Sequence, residues 1–191
     1  AMLASMVKMI LRDWGQYLDD PAAMLQHIQR SLAQKLDMRF VTAVVASVDV
    51  PSGRMALANA GHPETYVMAA DGGMRSFRPR GRPVNDAIPD QYEAESLQLA
   101  PGERIVFLTD GISEAQNAAG LYFSEGDLQK HLGVLRALPA AEICVGVIRA
   151  MHSFREPVEE LEDDRAICVL EYLGVEHGEA LTPSETASHP S

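Results

Sequence analysis

The sequence predicts an α+β fold: an antiparallel β-sandwich flanked by helical pairs. Three observations carry that expectation. Apolar residues recur at helical spacing at the front of the chain and again after residue 125. A run of short β-branched segments, broken by hairpin-type turns, fills the middle. One more β-rich segment follows the last helical stretch. Meandering strands joined by tight turns pair antiparallel, and helices that arrive in pairs cover sheet faces as separate layers.

Each element has a local reason. Met2, Leu3, Met6, Met9 and Ile10 repeat at helical spacing, so residues 1 to about 18 read as an amphipathic helix, although no Ser, Thr, Asp or Asn precedes it as a cap. Asp19-Asp20-Pro21 offers acidic capping groups and a proline for the first turn of a second helix. Its stripe is Met24, Ile28, Leu32 and Leu36, and the short connection makes the two helices an antiparallel pair. "FVTAVVASVDV" (40–50) is a strand that ends at the turn Pro51-Ser52-Gly53. "RMALANAGH" (54–62) alternates and breaks at Gly61; "ETYVMAA" (64–70) follows, closed by Asp71-Gly72. Further strands are expected near 74–78, 91–99 and 103–109, helices at about 125–136 and 139–155, and a last strand at 165–173. The tail, 174–191, is polar without apolar period and reads as disordered.

Composition narrows the function classes. A chain of 191 residues with 47% hydrophobic residues fills one ordinary core. A net charge of −11 argues against nucleic acid and against an anionic membrane surface, and suits cation binding. Cys144 and Cys168 lie far apart in apolar sequence and read as core residues in a reducing, cytoplasmic compartment. No apolar run is long enough to span a bilayer. The nine methionines read as helical core or partner surface.

The carboxylates carry the chemistry. "ERIVFLTDG" is a buried strand that delivers Asp110 to its exit and then turns at Gly111, while "EDDRAICVLEYL" places Asp163 and Asp164 at a strand entrance. If these strands are adjacent and antiparallel, the acidic groups meet at one sheet end. Like charges that close repel unless a cation separates them, and Mg²⁺ or Mn²⁺ prefers oxygen ligands. The competing reading makes Asp110 a turn residue and the pair the end of the acidic run Glu159, Glu160, Glu162, Asp163, Asp164.

The ordered set "FVTAVVASVD", "LANAGHPETYV", "GRPVND", "LAPGERIVFLTDGISEA" and "DDRAICVLEY" resembles the metal-dependent (PPM, type 2C-like) protein serine/threonine phosphatases, nearest their SpoIIE/RsbU branch, over residues 1 to 173. The resemblance implies a two-sheet sandwich whose end holds two ions, Mn²⁺ or Mg²⁺, for in-line hydrolysis of a phosphoester. Asp110 matches the metal-binding Asp of a "TDG" motif, Asp163 the ligand that opens a "DD" motif, and Asp164 a neighbour supporting the ligands. Gly111 then lets the backbone turn without crowding the ion. Asn59-Ala60-Gly61-His62-Pro63 reads as a tight turn with a hydrogen-bonded His62, Glu114 as a residue ordering the turn, and Thr42 as a strand residue. Asn85 stands where the branch usually has Gly, and Ala166 where Thr is common.

In the branch, a strand-rich segment and a "D-x-S-G-H-G" loop, whose Asp bridges both metals, precede the first helix. "AMLASM" resembles the helix directly after that loop. The expectation is therefore a phosphatase-like domain over 1–173 without its first strands and first metal loop, inactive by itself. Its parent would remove phosphate from a phosphoserine or phosphothreonine protein such as an anti-sigma-factor antagonist, joined upstream to a receiver or sensor module. The alternative is a non-catalytic adaptor that keeps the fold and not the metal site.

Overall fold

Asp20 begins the first described helix as its sequence suggests: its Oδ1 accepts the Ala23 N–H at 2.9 Å. Proline at the first helical position supplies a fixed φ and lacks an amide that would have no partner there. Helix α1 (Pro21–Leu32) buries Met24, Leu25, Ile28 and Leu32 along one stripe, with Leu36 buried beyond its end. The computed structural model describes residues 15, 17, 19–32, 35, 36, 39–69, 71–85, 91–155 and 164–175. The helix expected over 1 to about 18, its pairing with α1, and most of the tail (176–191) lie outside the described residues.

Among the described residues seven strands follow: β1 (Ala43–Asp49), β2 (Arg54–Ala60), β3 (Thr65–Met68), β4 (Met74–Phe77), β5 (Ala94–Gln98), β6 (Arg104–Leu108) and β7 (Ile167–Glu171). One sheet has the order β1-β2-β5 and the other β4-β3-β6-β7, every pairing antiparallel. Between β6 and β7 the chain forms α2 (Asp110–Ser113), α3 (Phe123–Gly126), α4 (Leu128–Leu135) and α5 (Ala140–Arg155).

The period of two along each strand divides the core into three apolar layers. Met55 and Leu57 of β2 meet Val67 and Ile105 between the sheets. Ala58 and Ala60, on the other face of β2, pack under α1 with Leu25 and Leu32. Val106 and Leu108 of β6 face Phe123, Leu132, Ile143 and Val147 of the second helical layer. The result is a helix–sheet–sheet–helix stack. Truncating a residue such as Leu57, fully buried between sheets, costs roughly 2–5 kcal/mol.

The strands are shorter than the sequence suggests because their outermost residues lack ladder partners. The helix expected at 125–136 is two pieces joined at Asp127. The sharp turn expected at Thr109-Asp110-Gly111 is instead the start of α2, a single helical turn. The cysteines are corrected as well. Cys168 is exposed on β7, and Cys144 is half-buried on α5 and near enough to feel it. β7 is an edge strand, so a residue of apolar character there is not thereby interior. Met24 and Met151 are helical core as expected, but the buried Met55 and Met68 belong to strands.

Candidate active site

The register Leu108↔Ile167 sets the exit of β6 beside the entrance of β7. Thr109 locks the two. Its N–H donates to the Ala166 carbonyl at 3.0 Å, its Oγ1 accepts the Ala166 N–H at 2.9 Å, and its hydroxyl donates to the Asp164 carbonyl at 3.2 Å. The Thr109 side chain is thus what joins the two acidic segments. Position 166 needs only its backbone for this, so alanine serves there.

Gly111 completes the contact. A Cβ at this position would stand 2.5 Å from the Asp164 carbonyl oxygen, too close for any side chain. The glycine is required by the approach of residue 164 rather than by the turning of the backbone. Asp110, half-buried, accepts the Gly111 N–H at 3.0 Å and forms no ion pair among the described residues. Asp163 lies outside the described residues. Of the two sequence-predicted ligands and their neighbour, Asp110 and Asp164 therefore stand at one end of the sandwich.

A second loop borders Asp110. Asn59 Oδ1 accepts the His62 N–H at 2.9 Å, and its amide donates to the His62 carbonyl at 2.9 Å, which is the tight turn read from the sequence. Gly61, at φ +69°, donates to the Gly81 carbonyl at 3.0 Å, and a Cβ on it would strike the Pro83 ring. The His62 Nδ1 lies 3.5 Å from the Thr42 hydroxyl, just ahead of β1. Burial pushes the His62 imidazole below its usual pKa, and the charge of Asp110 opposes that shift. Glu114 closes α2 through its backbone, donating to the Asp110 carbonyl at 2.8 Å.

Asp110 also lines a polar cleft of about 400 Å³ between the β3–β4 end and the α3–α4 region. Glu64, Tyr66 and Arg78 form its sheet wall, and Tyr122, Ser124 and Gln129 the facing wall. Sequence reasoning missed these residues. The alternation in "ETYVM" puts Glu64 and Tyr66 on one face, and that was the available signal. Burial raises the Tyr66 phenol to about 12, assisted by the charge of Glu64 and a hydrogen bond to it. The hydroxyl thereby fixes the Glu64 carboxylate.

The donors at this end are carboxylate and carbonyl oxygens, a set that suits a hard divalent cation rather than a soft one. Among the described residues no three His, Cys, Asp or Glu side chains cluster as a metal site. A hard divalent cation takes about six oxygens.

Residues 1–173 match the family described as Stage II sporulation protein E (SpoIIE). Among curated proteins, the phosphoserine phosphatase RsbU of Bacillus subtilis (strain 168) is 23% identical over 172 residues, covering 89% of this chain and 50% of RsbU. The chain thus spans about half of that relative. The RsbU and RsbW domains of Rv1364c from Mycobacterium tuberculosis superpose with a TM-score of 0.75 at 21% identity, covering 89% of this chain and 48% of that one. RsbX, solved in complex with magnesium, gives a TM-score of 0.62 at 12% identity, covering 88% of this chain and 71% of that one.

Proposed function

Because this chain belongs to the SpoIIE family of type 2C-like phosphatase domains, we propose that it is a metal-dependent protein serine/threonine phosphatase with its hydrolytic centre at the Asp110 end of the sandwich. The single observation that carries this reading is the lock formed by Thr109 and Gly111, which holds Asp110 and residue 164 together from distant sequence. A strand end built only for stability has no need to bring a carboxylate without an ion pair, among the described residues, beside a second acidic segment.

In this reading Asp110 and Asp163 are the ligands, and Asp164 is the neighbour that supports them. Thr109 fixes the spacing between them. Asp110 and Asp163 would hold a Mn²⁺ or Mg²⁺ ion, which would supply neutralisation of the phosphoryl oxygens and acidification of the attacking water. The magnesium in RsbX supports the choice of metal. His62, whose pKa burial lowers against the charge of Asp110, belongs to the turn that borders the site.

The substrate class is a phosphoserine or phosphothreonine protein, supported by the phosphoserine phosphatase RsbU. We place an anti-sigma-factor antagonist first among such proteins, with a receiver or sensor module in the same polypeptide and the whole in the cytoplasm. No helix among the described residues is long and apolar enough to cross a membrane. One observation bears on the adaptor reading: among the described residues no three His, Cys, Asp or Glu side chains cluster as a metal site. Phosphate release from a phosphoserine protein, measured with and without Mn²⁺ on the full-length protein, decides between them. Mn²⁺-dependent release that is lost in Asp110→Asn supports the phosphatase; release equal with and without metal, or none at all, rejects it.

A further inference from the structure

The charged side chains lining the cleft beside Asp110 are acidic but for one. Asp110, Glu64 and Glu114 face it, and Arg78 is the one Lys or Arg that does so among the described residues. Arg78 follows the last residue of β4, exposed, and forms no hydrogen bond or ion pair among the described residues. The register Thr65↔Phe77 sets Glu64 directly opposite it, and the charge of Arg78 reaches Tyr66. That carboxylate is engaged by the Tyr66 hydroxyl instead. Arg75, three residues earlier, shows the contrast: its guanidinium holds both oxygens of Glu103 at 2.8 Å.

The backbone at 78 lies in the row of Leu108, since Glu64 falls opposite both in the pairings of β3. Two strand spacings and two residue steps separate that point from Asp110, about 12 Å. An extended peptide advances about 3.3 Å per residue, so about two to three residues fit between, once side-chain reach is allowed for. A guanidinium offers a planar fork that matches a carboxylate.

We propose that the cleft seats the substrate peptide, and that Arg78 receives an acidic side chain about two to three residues from the phosphoserine. This rests on the phosphatase reading above. The phosphoryl group lies at the Asp110 end, and Arg78 reads the sequence next to it. In an otherwise acidic cleft, a single cation sets where an anionic peptide settles and which neighbours it tolerates.

The test uses the full-length protein with Mn²⁺ and labelled peptides in which a non-hydrolysable phosphonate replaces the phosphate of phosphoserine. One peptide carries Glu at the second and third positions on both sides; the other carries Ala there. Fluorescence anisotropy is expected to show the Glu peptide binding about fivefold tighter, the size of a partly exposed charge pair. Arg78→Ala levels the two, and Arg78→Glu reverses the order, with thermal midpoints confirming that the exposed substitutions leave the fold intact. Equal binding by the wild type, or a preference that survives Arg78→Ala, overturns the proposal. So does a fall in p-nitrophenyl phosphate hydrolysis in Arg78→Ala, which would put Arg78 on the phosphoryl group. Failure of the wild type to hydrolyse p-nitrophenyl phosphate with Mn²⁺ counts against the phosphatase reading alone, because the binding comparison decides Arg78 without turnover.

Discussion

Strand β6 carries a carboxylate at each end, and the two are treated oppositely. Glu103, just before the strand, is 7% exposed and fully satisfied. Arg75 holds both its oxygens at 2.8 Å, and the Ala100 N–H donates to it at 3.0 Å. Around it Tyr172 and Gly102 exchange backbone bonds with their neighbours, and the Tyr172 hydroxyl reaches the Val50 carbonyl at 2.9 Å. Asp110, just after the strand, has one local bond to Gly111 and no ion pair among the described residues. Its surroundings are a lock of short backbone contacts and an open polar cleft. A carboxylate whose charge is balanced within the fold holds structure; one whose balance is left to come from outside is available for chemistry.

Four substitutions break or sharpen that contrast. The largest effect is on catalysis: Asp110→Asn should lower Mn²⁺-dependent phosphate release at least about a hundredfold, since the metal supplies several kcal/mol of charge stabilisation. Its stability should stay within about 0.5 kcal/mol of wild type, as for a substitution that breaks no internal pair. At the other end of β6 the pattern inverts. Glu103→Gln leaves Arg75 and the Ala100 amide poorly matched and should cost about 2 kcal/mol by urea denaturation, less than for a pair buried on both sides because Arg75 is partly exposed.

Gly111→Ala should cost about 1–2 kcal/mol, because the added methyl meets the Asp164 backbone rather than a yielding side chain. It should also weaken Mn²⁺ binding by spreading positions 110 and 164 apart. The smallest effect is on pH dependence. The Tyr66 phenol ionises near 10 in the unfolded chain and at about 12 in the fold. The unfolded state therefore loses its proton first, so the contribution of Tyr66 to stability is constant below pH 10 and falls as pH rises from 10 to 12. Tyr66→Phe should flatten that decline in a series of chemical denaturation midpoints.

The sequence made the contrast legible at one end and hid it at the other. The apolar runs in "ERIVFLTDG" and "RAICVLEYL" identified two strands, of which only the first is buried, and their ends predicted that residues 110 and 164 would meet. Asp19-Asp20-Pro21 marked a helix start because capping is local chemistry. The role of Thr109 was hidden because its partners, Asp164 and Ala166, lie 55 and 57 residues away. Gly111 was seen, but its reason, the Asp164 carbonyl, is a tertiary contact. The cleft was hidden for the same cause: Glu64, Arg78 and Gln129 share it only through strand register and helix packing. Cys168 misled because composition does not reveal that β7 is an edge strand.

The central claim is that Asp110, not Glu103, is the carboxylate left for a cation. Calorimetric titration of Mn²⁺ into the full-length protein, its Asp110→Asn variant and its Glu103→Gln variant tests it most directly. The account predicts binding by the wild type, loss of that binding in Asp110→Asn at unchanged thermal midpoint, and retained binding in Glu103→Gln despite a lowered midpoint. Undiminished Mn²⁺ binding by Asp110→Asn would contradict it and return Asp110 to the role of a turn residue.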